Sequence, residues 1–229
     1  DWTSMFPHDS PRACQEDAIN FALESILDKQ KRFVVLEAGT GVGKSAIGLT
    51  VARYLNTRYA ENDVYKPGSY FVTTQKILQQ QYVKDFGRFG GKMKSIKSSS
   101  NYQCGFLKEN TCAESMRALR TADKKSRFFK ACVFNCHYKL AKEDFIKSEE
   151  SVTNFPYFLA ETAYSGKLTP REVLVIDEAH NTPAELSKFI EIVVTSRFSK
   201  QGLKIEMPDI STQSQAYKWI NEVYGPKLF

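Results

Sequence analysis

No stretch of the 229 residues approaches the ~20 apolar positions that a membrane-spanning helix needs. The opening "DWTSMFPHDSPRACQ" has no basic start followed by an apolar run, so it does not read as a secretory leader. Both absences favour a soluble, intracellular protein with no membrane partner, cytoplasmic if bacterial or phage and nuclear if eukaryotic. Cysteine is sparse and odd in number: Cys14, Cys104, Cys112, Cys132 and Cys136. Such a set does not read as a disulfide framework and points towards metal or redox chemistry. There are no internal repeats, which sets repeat architectures aside. The sequence opens on Asp and stops at "YGPKLF", and is expected to be a piece of something longer.

What is present begins with enough apolar residues, 42%, to bury one core and a smaller appended unit. The net charge of +6 is uneven. Between Lys84 and Lys130 twelve Lys/Arg face four Asp/Glu, so the rest of the chain is slightly acidic. A stretch of that kind is either a solvated surface or a face for a polyanion.

Periodicity then orders the chain. In "HDSPRACQEDAINFALESILDKQ", Ile19, Ala22, Leu23 and Ile26 share one helical face, with Asp9 or Ser10 as N-cap and Pro11 in the first turn. "RFVVLEAG" reads as a buried strand ending at glycine. A helix marked by Ile47, Val51 and Leu55 follows, then strand "SYFVTT" and helix "QKILQQQYVKDF". "GRFGGKMKSIKSSS" breaks the alternation, which resumes with "ESVTNF", a helical turn "FPYFLAETA", strand "EVLVI" and helix "TPAELSKFI", capped by Thr182. Alternating strands and helices imply an α/β fold with a parallel sheet, interrupted by an insertion over 88–138. Beyond Ser196 the text is polar, with one helix expected around Gln213 to Val223.

Two motifs carry chemistry. "AGTGVGKS" (Ala38, Gly39, Thr40, Gly41, Val42, Gly43, Lys44, Ser45) matches the P-loop pattern with Ala in place of its first glycine. Its glycines let backbone N–H groups wrap phosphate oxygens, and the helix that follows adds a favourable dipole. Lys44 would reach the β/γ-phosphates of ATP, and the Ser45 hydroxyl would ligate Mg²⁺. "VLVIDEAH" delivers Asp177 and Glu178 to the carboxyl end of a strand, where open α/β sheets bind ligands. Asp177 suits Mg²⁺, and Glu178 suits activation of the attacking water. The catalytic candidates are therefore Lys44, Asp177 and Glu178.

Cys104, Cys112, Cys132 and Cys136 follow the spacing C-x7-C-x19-C-x3-C. Four thiolates suit an iron–sulfur cluster, and they suit Zn²⁺ equally, with His137 able to replace one of them. Around them Lys108, Arg117, Arg120, Lys124, Lys125, Arg127 and Lys130 alternate with Phe106, Phe128, Phe129, Phe134 and Tyr138. Basic groups track a phosphate backbone, and aromatics either stack on unpaired bases or cover a metal. Cys14 reads as a small helix residue outside the quartet.

"DEAH" together with "AGTGVGKS" resembles a superfamily 2 helicase. "SSSNYQC" before Cys104 and "CHYKLAKEDFIKSEESVTNFPYFLAET" are similar to its XPD and DinG branch. The resemblance implies a RecA-like domain over 1–87 and 139–195, a [4Fe-4S] domain over 88–138, and the start of a helical arch over 196–229. It also implies that Gln15 reads the adenine and that Thr73, Thr74 and Gln75 contact the DNA backbone. The expected activity is ATP-driven translocation 5′ to 3′ on single-stranded DNA and at DNA junctions, as in DNA repair. In one respect the sequence departs from the family, which commonly has proline where His137 follows the last cysteine. Helicases of this kind close a second RecA-like domain over the nucleotide, and nothing after His180 resembles one. The isolated chain is therefore expected to unwind little or nothing. The rival readings are a metal-stabilised nucleic-acid-binding NTP switch and an RNA helicase.

Overall fold

Four short segments with strand character assemble side by side, and one of them is not the most apolar run in the chain. In the computed structural model, which describes residues 1–58, 65–74, 76–87, 93–134, 136–166, 168–189 and 193–228, the strands are β1 (Lys66–Thr73), β2 (Met93–Ser95), β3 (Glu150–Asn154) and β4 (Arg171–Ile176). All pairings are parallel, in the order β2-β3-β1-β4. The helices are α1 (Ala13–Leu27), α2 (Lys44–Asn56), α3 (Lys76–Phe86), α4 (Cys112–Leu119), α5 (Arg127–Phe134), α6 (His137–Lys147), α7 (Phe155–Ala160), α8 (Thr182–Phe189), α9 (Ser196–Gln201) and α10 (Gln213–Trp219). The expected α/β class with a parallel sheet flanked by helices is what the chain adopts. Met93–Ser95, inside the range assigned to the insertion, forms the sheet's edge. Residues 88–92 of that range lie outside the described residues.

β3 is wholly buried although its sequence, ESVTN, is mostly polar. Each polar group has a partner, as burial demands. Arg53 from α2 grips the Glu150 carboxylate with Nε–Oε1 at 2.6 Å and Nη2–Oε2 at 3.0 Å. Ser151 Oγ donates to the Phe145 carbonyl and Thr153 Oγ1 to the Ile96 carbonyl, while Asn154 caps α7 by accepting from the Tyr157 amide. At the amino end of the sheet Arg171 donates to the carbonyls of Ser69, Ile146 and Ser148 and lies 4.2 Å over the Tyr70 ring. The main core gathers Ile19, Leu23, Ile47, Leu49, Leu55, Phe71, Tyr82, Phe86 and Val152 between the sheet and α1, α2 and α3. A second cluster joins Tyr70, Ile96, Phe145, Tyr157 and Leu168.

Three local expectations need correction. "RFVVLEAG" forms no strand; Phe33 and Val35 are 80% and 83% exposed. A β-branched run has the right propensity, but a strand exists only where a neighbouring ladder accepts its hydrogen bonds, and the order β2-β3-β1-β4 contains none for it. Helix α1 starts at Ala13, after Arg12, because the Gln15 Oε1 reaches back 2.9 Å to the Arg12 N–H. Thr182 is the first residue of α8, with a 3-10 turn (Ala179–Asn181) before it, and its hydroxyl caps nothing.

The chain divides into two compact units, Asp1–Leu186 and Ser187–Phe229. The second holds α9, capped by Thr195, and α10, capped by Thr212, with Trp219 and Tyr224 buried in ring contact at 5.4 Å.

Candidate nucleotide and metal sites

The carboxyl ends of the strands face the start of α2, and the glycine-rich sequence before that helix determines what stands there. Gly41 and Gly43 hold φ of +78° and +84°, a left-handed conformation that L side chains rarely adopt. At Gly43 a Cβ would also come 2.6 Å from Gln15 Nε2, so a side chain there would be strained and would have to displace the Gln15 amide. The loop therefore delivers its chain directly to Lys44, the first residue of a 13-residue helix. The leading N–H groups of such a helix have no acceptors within it and can turn to an anion. The Lys44 ammonium folds back on the loop, 3.2 Å from the Ala38 carbonyl and 3.4 Å from that of Gly39.

β4 continues its ladder one residue further, the Asp177 N–H donating to the Val72 carbonyl at 2.9 Å. This fixes the Asp177 carboxylate beside the head of α2. Ser45 Oγ donates to Asp177 Oδ2 at 3.0 Å, joining residues 132 positions apart. Tyr82 Oη from α3 donates to the same oxygen, also at 3.0 Å, and the Glu178 N–H donates to Oδ1 at 3.0 Å. Burial, then the Asp177 charge, raises the Tyr82 hydroxyl far above the ordinary tyrosine range, so it stays a donor. Glu178 itself has φ of +54°, a costly conformation for a non-glycine residue. Its carboxylate is half-exposed, 3.2 Å from His180 Nδ1. A cavity of about 260 Å³ opens beside this group, lined by His8, Gly43, Ser45, Tyr82, Asp85 and Phe86. A larger hollow between α1 and α2, around Asn20, Leu27 and Arg58, includes none of the motif residues.

A hydroxyl and a carboxylate 3.0 Å apart are the oxygen donors a hard cation such as Mg²⁺ takes from a protein when phosphates and waters complete its shell. Lys44, Ser45, Asp177 and Glu178 are thus brought to one end of the sheet. Gln15 is buried there too, but both ends of its amide are engaged: Oε1 by Arg12, and Nε2 by the Val42 carbonyl at 2.9 Å. Thr73 is fully buried in β1 opposite Asn154, Thr74 follows it partly exposed, and Gln75 lies outside the described residues.

Sequence reasoning missed two residues. Arg12 Nη2 donates to the carbonyls of Gly41 and Val42 at 2.9 and 3.0 Å, pinning the P-loop to the head of α1. Its place three residues before Gln15 was the available signal. For Tyr82 there was none, since helical spacing shows that a ring is buried but not what its hydroxyl meets.

The cysteines gather elsewhere in the same unit. Thr111 caps α4, with Glu114 completing the capping box, which places Cys112 on the first turn. Cys112 Sγ lies 3.6 Å from Cys136 Sγ. Burial, and then the neighbouring thiols of Cys136, Cys132 and Cys104, push the Cys112 thiol up to about 12. Cys132 is raised for similar reasons. The Cys104 sulfur accepts from the Leu107 amide at 3.3 Å. Gly105 faces the His137 imidazole, where a Cβ would stand 3.4 Å from Cε1. All five cysteines are free thiols. The donor chemistry therefore suits a thiolate-bound metal, but among the described residues no group of three or more His, Cys, Asp or Glu is arranged to hold one. The aromatics divide: Tyr138 turns inward, its hydroxyl 3.1 Å from that of Tyr157, Phe106 meets Phe128 at 5.7 Å, and Phe134 is 80% exposed.

Residues 8–207 match the family model described as type III restriction enzyme, res subunit. The chain belongs to this family. It is a superfamily 2 helicase family, and membership makes the chain a helicase-like, ATP-dependent nucleic-acid motor domain. The match takes in the P-loop, Asp177 and Glu178, and both cysteine pairs. No curated protein matches the chain. Among the described residues no helix is long and apolar enough to cross a membrane.

Proposed function

We propose that the chain is the first motor domain of an ATP-dependent DNA helicase of the XPD/DinG type. The observation that carries this reading is the Ser45–Asp177 contact, which joins the P-loop to the DEAH strand as an ATPase requires. On this reading Lys44 leaves the Ala38 and Gly39 carbonyls for the β/γ-phosphates, and the amides at the head of α2 receive phosphate oxygens. Ser45 and Asp177 would hold Mg²⁺, which when bound offsets charge on the phosphates. Glu178 orients the attacking water and takes its proton. Gln15 and the Arg12 beside it place the adenine end of the nucleotide.

The basic stretch from Lys84 to Lys130 and the exposed Phe134 support single-stranded DNA and DNA junctions as partners. Thr74, partly exposed, and Gln75 would belong to that path, with the fully buried Thr73 behind them and out of reach of DNA, and movement would run 5′ to 3′. The insertion over 88–138 would be held by a [4Fe-4S] cluster on Cys104, Cys112, Cys132 and Cys136. The position of His137 against Gly105 favours one second reading, Zn²⁺ with a histidine in the set. A second RecA-like domain in a longer parent chain would supply the arginine finger, whose absence costs ~10³–10⁵ in rate.

Two measurements on the full-length protein test this. ATP hydrolysis should rise with single-stranded DNA more than with RNA. The reverse preference identifies an RNA motor, and no stimulation by either leaves a switch. Purified protein should be brown, with visible absorption that bleaches on reduction. A colourless protein carrying one zinc per chain excludes the cluster.

A further inference from the structure

Asp177 has more hydrogen-bond donors than its place in the sheet requires. Ser45 accounts for one of the two donors on Oδ2. The other comes from Tyr82, a residue of α3 that belongs to neither motif. Its ring is 3% exposed and fixed on two sides, by Phe71 at 5.7 Å and Phe86 at 5.5 Å between centroids. The hydroxyl lies against the Ser45 hydroxyl and donates to the carboxylate. With the Glu178 amide on Oδ1, the plane of the carboxylate is set by protein donors before any ligand arrives.

The geometry points to Tyr82 as the positioning residue that orients the Asp177 carboxylate for Mg²⁺–nucleotide. The inference rests on the reading of Asp177 as a magnesium residue and goes beyond it. Were Ser45 Oγ to turn to a bound cation, the Tyr82 bond on Oδ2 would remain, with the Glu178 amide on Oδ1, to keep the carboxylate from rotating. Tyr82 touches neither phosphate nor metal in this role; it acts through Asp177. A carboxylate free to rotate has to be ordered at the moment of binding, and that loss appears only when the metal is present.

The test is ATP affinity measured by calorimetry over a Mg²⁺ series and again in EDTA, for the wild type, Tyr82→Phe, Asp177→Asn and the double variant. Tyr82→Phe keeps the ring and removes one oxygen. It should raise the half-saturating Mg²⁺ concentration about 10-fold, the size of one hydrogen bond to a charged group, with metal-free ATP affinity unchanged. Asp177→Asn should raise it as well, and Tyr82→Phe should add nothing further on that background. Tyr82→Leu removes ring and hydroxyl together. It should shift the magnesium requirement by the same factor as Tyr82→Phe while lowering the melting temperature further.

A normal magnesium requirement in Tyr82→Phe with a shifted one in Asp177→Asn overturns the positioning role and keeps the magnesium reading. An unshifted Asp177→Asn overturns both. Shifts that follow loss of melting temperature across the two Tyr82 variants, or that add to Asp177→Asn, mark a general structural role and reject the inference.

Discussion

The head of α2 and the cysteine region both bring together residues far apart in sequence, but they are held in opposite ways. At the first, the key side chains have protein partners: Lys44 on loop carbonyls, Asp177 on Ser45, Tyr82 and the Glu178 amide, Arg12 on Gly41 and Val42. The site is assembled by the fold and should exist without ligand. In the second, Cys112 and Cys136 approach to 3.6 Å; burial and then neighbouring thiols raise the Cys112 and Cys132 thiols, whereas Cys104, against its own burial, is lowered by the Ser115 hydroxyl and the Leu107 amide. The first region is organised before it binds; on the proposed reading the second would acquire its organisation from the metal it holds.

The sharpest way to separate the two is to disable one and observe the other. Glu178→Gln keeps size and hydrogen bonding but cannot take a proton. It should lower ATP turnover by ~10²-fold or more in the full-length protein, with metal content and melting temperature unchanged. Turnover within a few-fold of wild type would remove Glu178 from the role of base. A fall in metal content with turnover would show that the two regions are not independent.

The same contrast explains which parts were legible in the sequence. The P-loop and the DEAH strand are patterns of residues close in sequence, so spacing alone nominated Lys44, Ser45, Asp177 and Glu178. β3 was found although polar, because the alternation of strands and helices resumes at "ESVTNF". The failures were of a different kind. "RFVVLEAG" has strand propensity, and no local rule reveals that the order β2-β3-β1-β4 offers it no ladder. Arg12 displaced the expected cap of α1 because Gln15 folds back on it, a choice tied to the loop at Val42. Tyr82 was invisible because its partner lies 95 residues away. What spacing does not encode is the pairing of distant groups.

An intermediate effect is expected on the other side of the comparison. Cys112→Ser removes the most buried of the four thiols, 3% exposed, and a ligand of any metal the quartet holds. Metal per chain should fall to about half or less, and amide exchange should speed up in α4, α5 and α6. Exchange at the head of α2 should stay as it was, since none of its hydrogen bonds reaches the cysteines. Unchanged metal content would remove Cys112 from the ligand set. Accelerated exchange in both regions would break the distinction drawn between them.

The smallest effect asks how much of the cysteine region is held by ordinary helix chemistry. Thr111 accepts from the Glu114 amide while Glu114 Oε2 accepts from the Thr111 amide at 2.7 Å, so two donors at the head of α4 are satisfied without metal. Thr111→Ala removes the cap next to Cys112 and should cost about 1 kcal/mol. If a bound metal already fixes that turn, the loss in the metal-loaded protein should be smaller than in the metal-free one, because Cys112 then ties down the same backbone. Denaturant unfolding of the variant with and without chelator measures both. Equal losses in the two states would mean that the cap and the cysteine act independently, and that the start of α4 is built by the sequence as fully as the start of α2.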